Sequence, residues 1–341
     1  MLAVGSSLWL DRQIGPAPSG TWLARLDVVS RIQSASRSIP VDLNEWQGWR
    51  CRPKKAKSMI SSLQELVSPL AEADFLDLLR ARSFTFRRGS RTDRFQTLLS
   101  WNMLRDIIEG GVFPAEKLRV TSKTEDIPPI FYLENGKVNA GNLAKLLRQG
   151  ASLIAVPLDP YIPALNVLCS DIRTRTAENI KAGAIATTGD GGALKYHFDS
   201  HDLIIIQLEG NKHWKIYGPP VANLFKKDET LRPQGSLIFD DLMRPGDFLF
   251  LPAGHCHHCD NGPDLSLHLG IFFEPPTGYD TVRALLPQLI EEEIFRAPLT
   301  RLGDAANRTA LEAAIKSRLL EKIGQMLSSE QGSAGVKTKS P

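Results

Sequence analysis

The stretch KYHFDSHDLIIIQLEGNKHWKIYGPP, residues 195–220, decides how the rest of the chain is read. His197, Asp199, His201 and Asp202 fall within its first third. The apolar run LIIIQL follows, then a turn at Gly210-Asn211 and the bases Lys212, His213 and Lys215. Along a β-strand, residues i and i+2 point to one face. His197 and Asp199 are therefore expected to aim an imidazole and a carboxylate into one cavity, with Phe198 packing on the other side. A His-x-Asp triplet also serves turns and surface hydrogen bonds, and two ligands do not make a catalytic metal site. A third ligand has to come from elsewhere.

It is found in RPGDFLFLPAGHCHHCDN, residues 244–261. Pro245-Gly246-Asp247 reads as a turn, Phe248 to Leu251 as a strand, and Pro252-Ala253-Gly254 as a second turn followed by His255, His257 and His258. A strand and turn ending in histidine, joined to an upstream His-x-Asp, suit a set of two histidines and one carboxylate. Such a set leaves positions on Fe(II) open for a co-substrate and oxygen. The spacing Cys256-x-x-Cys259 raises zinc as an alternative, but a structural zinc site takes four ligands and no second C-x-x-C exists. The two cysteines are read as packing residues beside the iron.

Outward from these motifs, residues 150–275 read as short strands bounded by Gly, Pro, Asp or Asn: ASLIAVPL, AGAIATTG, LIIIQLEG, HWKIYG, SLIFDDL, DFLFLPAG and LSLHLGIFF. Strands of this length and spacing predict an antiparallel sandwich or barrel. Upstream, residues 58–149 read as a helical region leading into the barrel. SPLAEADFLDLL is expected as a capped helix, TLLSWNMLRDIIEGG as a helix stopped by glycine, and Asn139 to Arg148 as a helix after an Asn-Gly turn. Downstream, YDTVRALLPQLIEEEIFRA and NRTALEAAIKSRLLEKIGQMLSS make residues 276–329 a helical C-terminal region suited to dimerisation. Residues 1–57 read as a partly ordered N-terminal extension and residues 330–341 as a disordered tail.

The 341 residues suffice for one large domain with appendages, and 42% hydrophobic with 23% charged residues is ordinary for a globular chain. A net charge of +3 is too weak to imply direct nucleic-acid binding. Four scattered cysteines do not form the framework of a small secreted domain. No apolar run approaches the ~20 residues that span a bilayer, and the opening MLAVGSSLWLDRQIG lacks the basic start of a signal peptide. A cytoplasmic protein without membrane partners is expected.

Several pieces, in order and spacing, resemble the JmjC-type cupin oxygenases and among them the ribosomal-oxygenase branch. ATTGDGGALKYHFDSHD resembles the family's approach to its His-x-Asp. LIIIQLEGNKHWKIYGP resembles the following strand pair, GDFLFLPAGHCHH the distal-histidine turn, and SLHLGIFF the closing strand. The resemblance covers residues 150–275 well and the flanking helices less. It implies a mainly β fold with flanking helices, a double-stranded β-helix of the jelly-roll cupin type. It also implies Fe(II) and 2-oxoglutarate as cofactors.

Carried over residue by residue, the metal ligands are His197, Asp199 and His257, because the family's distal histidine lies three residues after the turn glycine, here Gly254. His255 is the replacement should the register differ. Lys212 stands where the family keeps a cation for the distal carboxylate of 2-oxoglutarate; Lys215 is its fallback. Thr187, Thr188 and Tyr196 are hydroxyls able to share that carboxylate. Asp202 is considered as an orienter of an imidazole, His201 as a supporting turn residue, and His268 as a satisfied core histidine. His213 and Trp214 are read as packing and surface residues.

The implied function is a 2-oxoglutarate-dependent dioxygenase hydroxylating an amino-acid side chain in a protein or peptide, a ribosomal protein among the candidates, by a homodimeric enzyme. Oxidation of a free amino acid or small natural product is the alternative, demethylation ranks below it, and a non-catalytic metal-binding cupin is the reading from a different class.

Overall fold

A computed structural model describes residues 59–122, 125–189, 194–224, 228–230, 232–262, 264–299 and 305–328. The expected N-terminal extension and C-terminal tail lie outside these residues. The chain enters through helices α1 (Leu63–Val67) and α2 (Glu72–Ala81), then strand β1 (Thr85–Arg87), helix α3 (Trp101–Glu109) and strand β2 (Leu118–Thr121). A small hairpin, β3 (Leu133–Glu134) and β4 (Lys137–Val138), turns at Asn135-Gly136. It leads to helix α4 (Ala140–Arg148), whose N-cap is Asn139. Strand β5 (Ser152–Ala155), helix α5 (Pro163–Thr176) and strand β6 (Asn179–Thr187) follow.

The jelly-roll strands come next: β7 (Leu194–Phe198), β8 (Asp202–Glu209), β9 (Lys212–Gly218), β10 (Asp228–Thr230), β11 (Ser236–Met243), β12 (Phe248–Leu251), β13 (Cys256–Asn261) and β14 (Ser266–Glu274). Helices α6 (Gly278–Leu289), α7 (Glu293–Arg296) and α8 (Ala305–Ser328) close the described chain.

Two antiparallel sheets carry the fold. One has seven strands in the order β1-β12-β8-β14-β6-β5-β2, the other five in the order β10-β7-β13-β9-β11. From β7 to β9, and again from β11 to β14, successive strands alternate between the sheets. This alternation is the jelly-roll winding expected from the sequence. The space between the sheets is filled by Leu203 and Ile205 of β8 and Leu249 and Leu251 of β12 on one side. Trp214 and Ile216 of β9, Met243 of β11 and Cys259 of β13 fill it from the other.

The outer face of the large sheet is covered as well. Phe75 of α2 packs edge-on against Phe250, with ring centroids 5.3 Å apart, and touches Phe273 at 6.2 Å. With both faces covered, LIIIQL of β8 is buried throughout, which explains a continuous apolar run where a half-exposed strand would alternate.

Three local expectations are corrected. The helix containing EADFLDLL starts after Ala71 with no side-chain cap, because Ser68 instead closes the preceding helix α1. Its αL C-cap is Arg82. The segment PALNVLCSDIRTRT, which falls in the region read as strands, is helix α5 and buries Leu165, Leu168 and Ile172. The region read as helical also supplies the two outermost strands of the large sheet, β1 pairing with β12 and β2 with β5. Short amphipathic strands at a sheet edge leave little periodicity to read.

Candidate metal centre

His197 lies on β7 and His257 on β13, and the two are direct partners across that strand pair, with ring centroids 4.1 Å apart. Asp199 sits just beyond the end of β7. Its Oδ2 is 3.8 Å from His197 Nε2 and 3.4 Å from His257 Nε2. Among the described residues this trio is the one grouping of potential ligands whose donor atoms all lie within 4.8 Å of one another. Both histidines are buried.

The backbone sets their tautomers. His197 Nδ1 is 2.7 Å from the Lys195 carbonyl and His257 Nδ1 is 3.0 Å from the His255 carbonyl. A carbonyl can only accept, so each Nδ1 carries the proton and each Nε2 presents its lone pair toward Asp199. Two donors sharing one ion at roughly 2.1 Å each must lie within roughly 4.2 Å of each other, and both separations from Asp199 satisfy this. Two imidazole nitrogens and one carboxylate form the donor set suited to Fe(II), so the residues present fit that ion.

His255 does not join them. It lies in the turn before β13, with its Nδ1 against the Pro252 carbonyl at 2.9 Å, and burial holds its imidazole below the ordinary range. His258 points to the outer face of β13, where its ring stacks on Tyr196 with centroids 4.6 Å apart and pairs with Asp260.

Behind the trio lies a buried cation. Lys212, first residue of β9, is 1% exposed, and its Nζ donates to Thr187 Oγ1 at 3.2 Å. Among the described residues no carboxylate pairs with it, and burial pushes its pKa below the ordinary lysine range. The Thr187 hydroxyl in turn shares a hydrogen bond with Ser152. Thr188 and Tyr196 are not part of this group: Thr188 Oγ1 donates to the Leu147 carbonyl, and Tyr196 is stacked on the outer face. Lys215, one strand step out of phase with Lys212, is partly exposed opposite His258 and Asp240.

Residues read as bystanders line the same interior. Trp214 shares the phase of Lys212 on β9. Its ring stacks on His257 at 5.9 Å between centroids and meets His268 edge-on at 5.5 Å. His213, out of phase, pairs with Asp240 at the surface. His268 is corrected from a satisfied core histidine: its buried Nδ1 has no hydrogen-bond partner, and burial beside Lys212 and His257 holds it neutral well below the ordinary histidine range. Trp214 Nε1 and Asn261 Oδ1 are likewise buried without partners. Buried polar atoms are ordinarily satisfied; of these residues, Asn261 faces Lys212 across the strand pair and His268 feels its charge. Asn261, facing Lys212 across the β13–β9 pair, was legible in principle from its four-residue spacing from His257.

Asp202 does not orient an imidazole. Its Oδ1 accepts from the Ala253 N–H at 2.6 Å and lies 3.3 Å from Arg82 Nη2. His201 packs its ring against Phe272, with centroids 5.1 Å apart.

Residues 166–281, from within α5 to the first turn of α6, match the JmjC domain family. The barrel is a JmjC domain. Among curated proteins, the JmjC barrel and its flanks are similar to the bifunctional lysine-specific demethylase and histidyl-hydroxylase NO66 of Drosophila mojavensis. That relative is 22% identical over 244 residues, covering 68% of this chain and 27% of the relative. The protein of the same name from Brugia malayi is 28% identical over 148 residues, 40% of this chain and 20% of the relative. The chain thus spans between a fifth and about two fifths of the length of the curated relatives it matches. Among solved structures, the Escherichia coli ribosomal oxygenase YcfD in complex with cobalt and 2-oxoglutarate is 17% identical. It has a TM-score of 0.49, with 74% of this chain and 67% of that one covered. Among the described residues, no helix of the JmjC domain or its flanks is long and apolar enough to cross a membrane.

Proposed function

We propose that this chain is an Fe(II)- and 2-oxoglutarate-dependent dioxygenase that hydroxylates an amino-acid side chain in a protein or peptide. The observation that carries the reading is Lys212, a fully buried ammonium that donates to the Thr187 hydroxyl and has no carboxylate partner among the described residues, within a barrel whose inner face also bears the His197–Asp199–His257 donor set. A buried charge requires a partner. A metal-binding cupin without a carboxylate ligand has no use for this one, whereas 2-oxoglutarate supplies the missing carboxylate. The JmjC match and the histidyl-hydroxylase activity in the names of the curated relatives support the same reading.

In this reading His197, Asp199 and His257 hold the metal through two Nε2 atoms and one carboxylate oxygen. Lys212 and Thr187 bind the distal carboxylate of the co-substrate. Fe(II) with 2-oxoglutarate and O2 supplies an oxidative decarboxylation strong enough to hydroxylate an unactivated C–H bond. The chain's own residues do the rest. The Lys195 and His255 carbonyls fix the histidine tautomers, Trp214 buttresses His257, and the interdigitated apolar side chains between the sheets exclude water.

The protein is proposed to act in the cytoplasm as a homodimer built on the C-terminal helices, whose Tyr279, Leu286, Ile290 and Leu320 are exposed apolar residues suited to a partner copy.

The test compares ribosomes and proteome from cells with and without the gene by mass spectrometry, alongside succinate release by the purified protein. A side chain heavier by one oxygen atom in the presence of the gene is expected. Loss of a methyl group from lysine would replace hydroxylation by demethylation, and unmodified proteins with active succinate release would move the substrate to a small molecule. Absence of 2-oxoglutarate turnover with every substrate class would make the protein a non-catalytic cupin.

A further inference from the structure

The turn that delivers His257 is held from two sides. Pro252, Ala253 and Gly254 carry the chain from β12 in the large sheet to β13 in the small one. Strand β12 pairs with β8 up to Leu251 opposite Leu203, so the next pair in register would be Pro252 with Asp202. Proline has no N–H to offer, and the ladder ends there. The next N–H, that of Ala253, is buried and finds its acceptor in the Asp202 carboxylate at 2.6 Å. One residue further, the Gly254 N–H donates to the carbonyl of Asp199 at 2.9 Å, and the Gly254 carbonyl accepts from Val221 N–H at 2.7 Å.

The segment bearing His197 and Asp199 is therefore tied to the segment bearing His257 by two adjacent hydrogen bonds. One is backbone, from the proposed ligand Asp199 itself; the other is the Asp202 side chain. Asp202 is 6% exposed, and its countercharge is Arg82, the C-cap of α2. Helix, sheet and turn thus meet on one carboxylate three residues after Asp199.

From this arrangement we infer that Asp202 is a positioning residue of the metal centre: by gripping Ala253 N–H it sets where His257 stands relative to His197 and Asp199. The inference rests on the metal reading given above. Removing the carboxylate would leave a buried N–H without an acceptor and let the turn, and His257 with it, move away from the other two ligands.

The test is Co(II) binding to the full chain, read as affinity and as the visible ligand-field spectrum. Asp202→Ala is expected to weaken Co(II) binding by about 10- to 100-fold, the range for partners that orient metal ligands, and to alter the spectrum. Asp202→Asn keeps an oxygen acceptor for Ala253 and is expected to recover most of the affinity. In a His257→Ala background, Asp202→Ala is expected to change nothing further, since its effect runs through His257. Should Asp202→Ala not fold, Asp202→Ser carries the test with the same expected order, Asp above Asn above Ser.

Parent-like affinity and spectrum in the Ala or Ser variant would overturn the inference alone. So would an equal loss of affinity with His257 already removed. A parent protein that takes up no Co(II), or binds it equally well as His197→Ala, would overturn the metal reading and this inference together.

Discussion

Replacing Lys212 by methionine separates the cost of a buried charge from its use. The side chain is fully buried, donates to one hydroxyl at 3.2 Å and has no carboxylate partner among the described residues. Methionine fills nearly the same volume without the charge. In the protein without metal or co-substrate the change should raise stability, because an ammonium whose pKa is depressed by burial is a cost of folding. The co-substrate should show the reverse. Truncating one partner of a buried hydrogen-bonded charge pair costs roughly 2–5 kcal/mol, which at about 1.4 kcal/mol per decade corresponds to a Kd raised roughly 30-fold to a few thousand-fold. Calorimetric titration of 2-oxoglutarate into Mn(II)-loaded protein measures this without turnover. 2-Oxobutyrate, which lacks the distal carboxylate, should bind parent and variant alike, and Lys215→Met, on the outer face, should leave 2-oxoglutarate binding unchanged. An unaltered Kd for 2-oxoglutarate in Lys212→Met would refute the assignment of the buried ammonium.

Two further outcomes follow from neighbouring residues. His268 is buried and held neutral well below the ordinary histidine range, so below about pH 6.5 the unfolded chain takes up a proton that the folded one does not. Stability of the metal-free parent should therefore fall with decreasing pH by up to about 1.4 kcal/mol per unit from this group, and His268→Leu should remove that part of the slope; equal slopes in denaturant titrations at pH 5 to 7 would count against it. Gly254 has φ +86°, and an added Cβ would meet the Val221 carbonyl oxygen at 2.0 Å. Gly254→Ala should cost at least about 1 kcal/mol from the left-handed backbone alone and should erase the rise in melting temperature that Mn(II) gives the parent; a variant still stabilised by Mn(II) as the parent is would show that the turn does not set His257.

Much of the fold was legible because the barrel strands are bounded by turn residues and alternate in the expected phase. The two-residue periodicity expected to bring His197 and Asp199 together matches their grouping with His257, and the same periodicity puts Lys212 and Trp214 on one buried face of β9. Contacts between residues distant in sequence were not legible. Trp214 reads as a packing residue from its neighbours, and only the register of β9 against β13 puts its ring on His257. Asp202 has the right chemistry to orient an imidazole, yet Pro252, fifty residues away, leaves Ala253 N–H as the donor it meets. His268 sits on a strand whose apolar pattern suggests a satisfied core, and its missing partner is a property of three strands together. Helix α5 was hidden because its apolar residues bury one face under β6 while the strands on both sides dominate the composition.

The measurement closest to the central claim is the anaerobic difference spectrum of the protein with Fe(II) and 2-oxoglutarate. Chelation of the metal by the co-substrate, with His197, Asp199 and His257 as ligands, predicts a weak visible charge-transfer band in the parent that disappears in Asp199→Ala. A parent without the band, or a band that survives loss of the Asp199 carboxylate, would contradict the account.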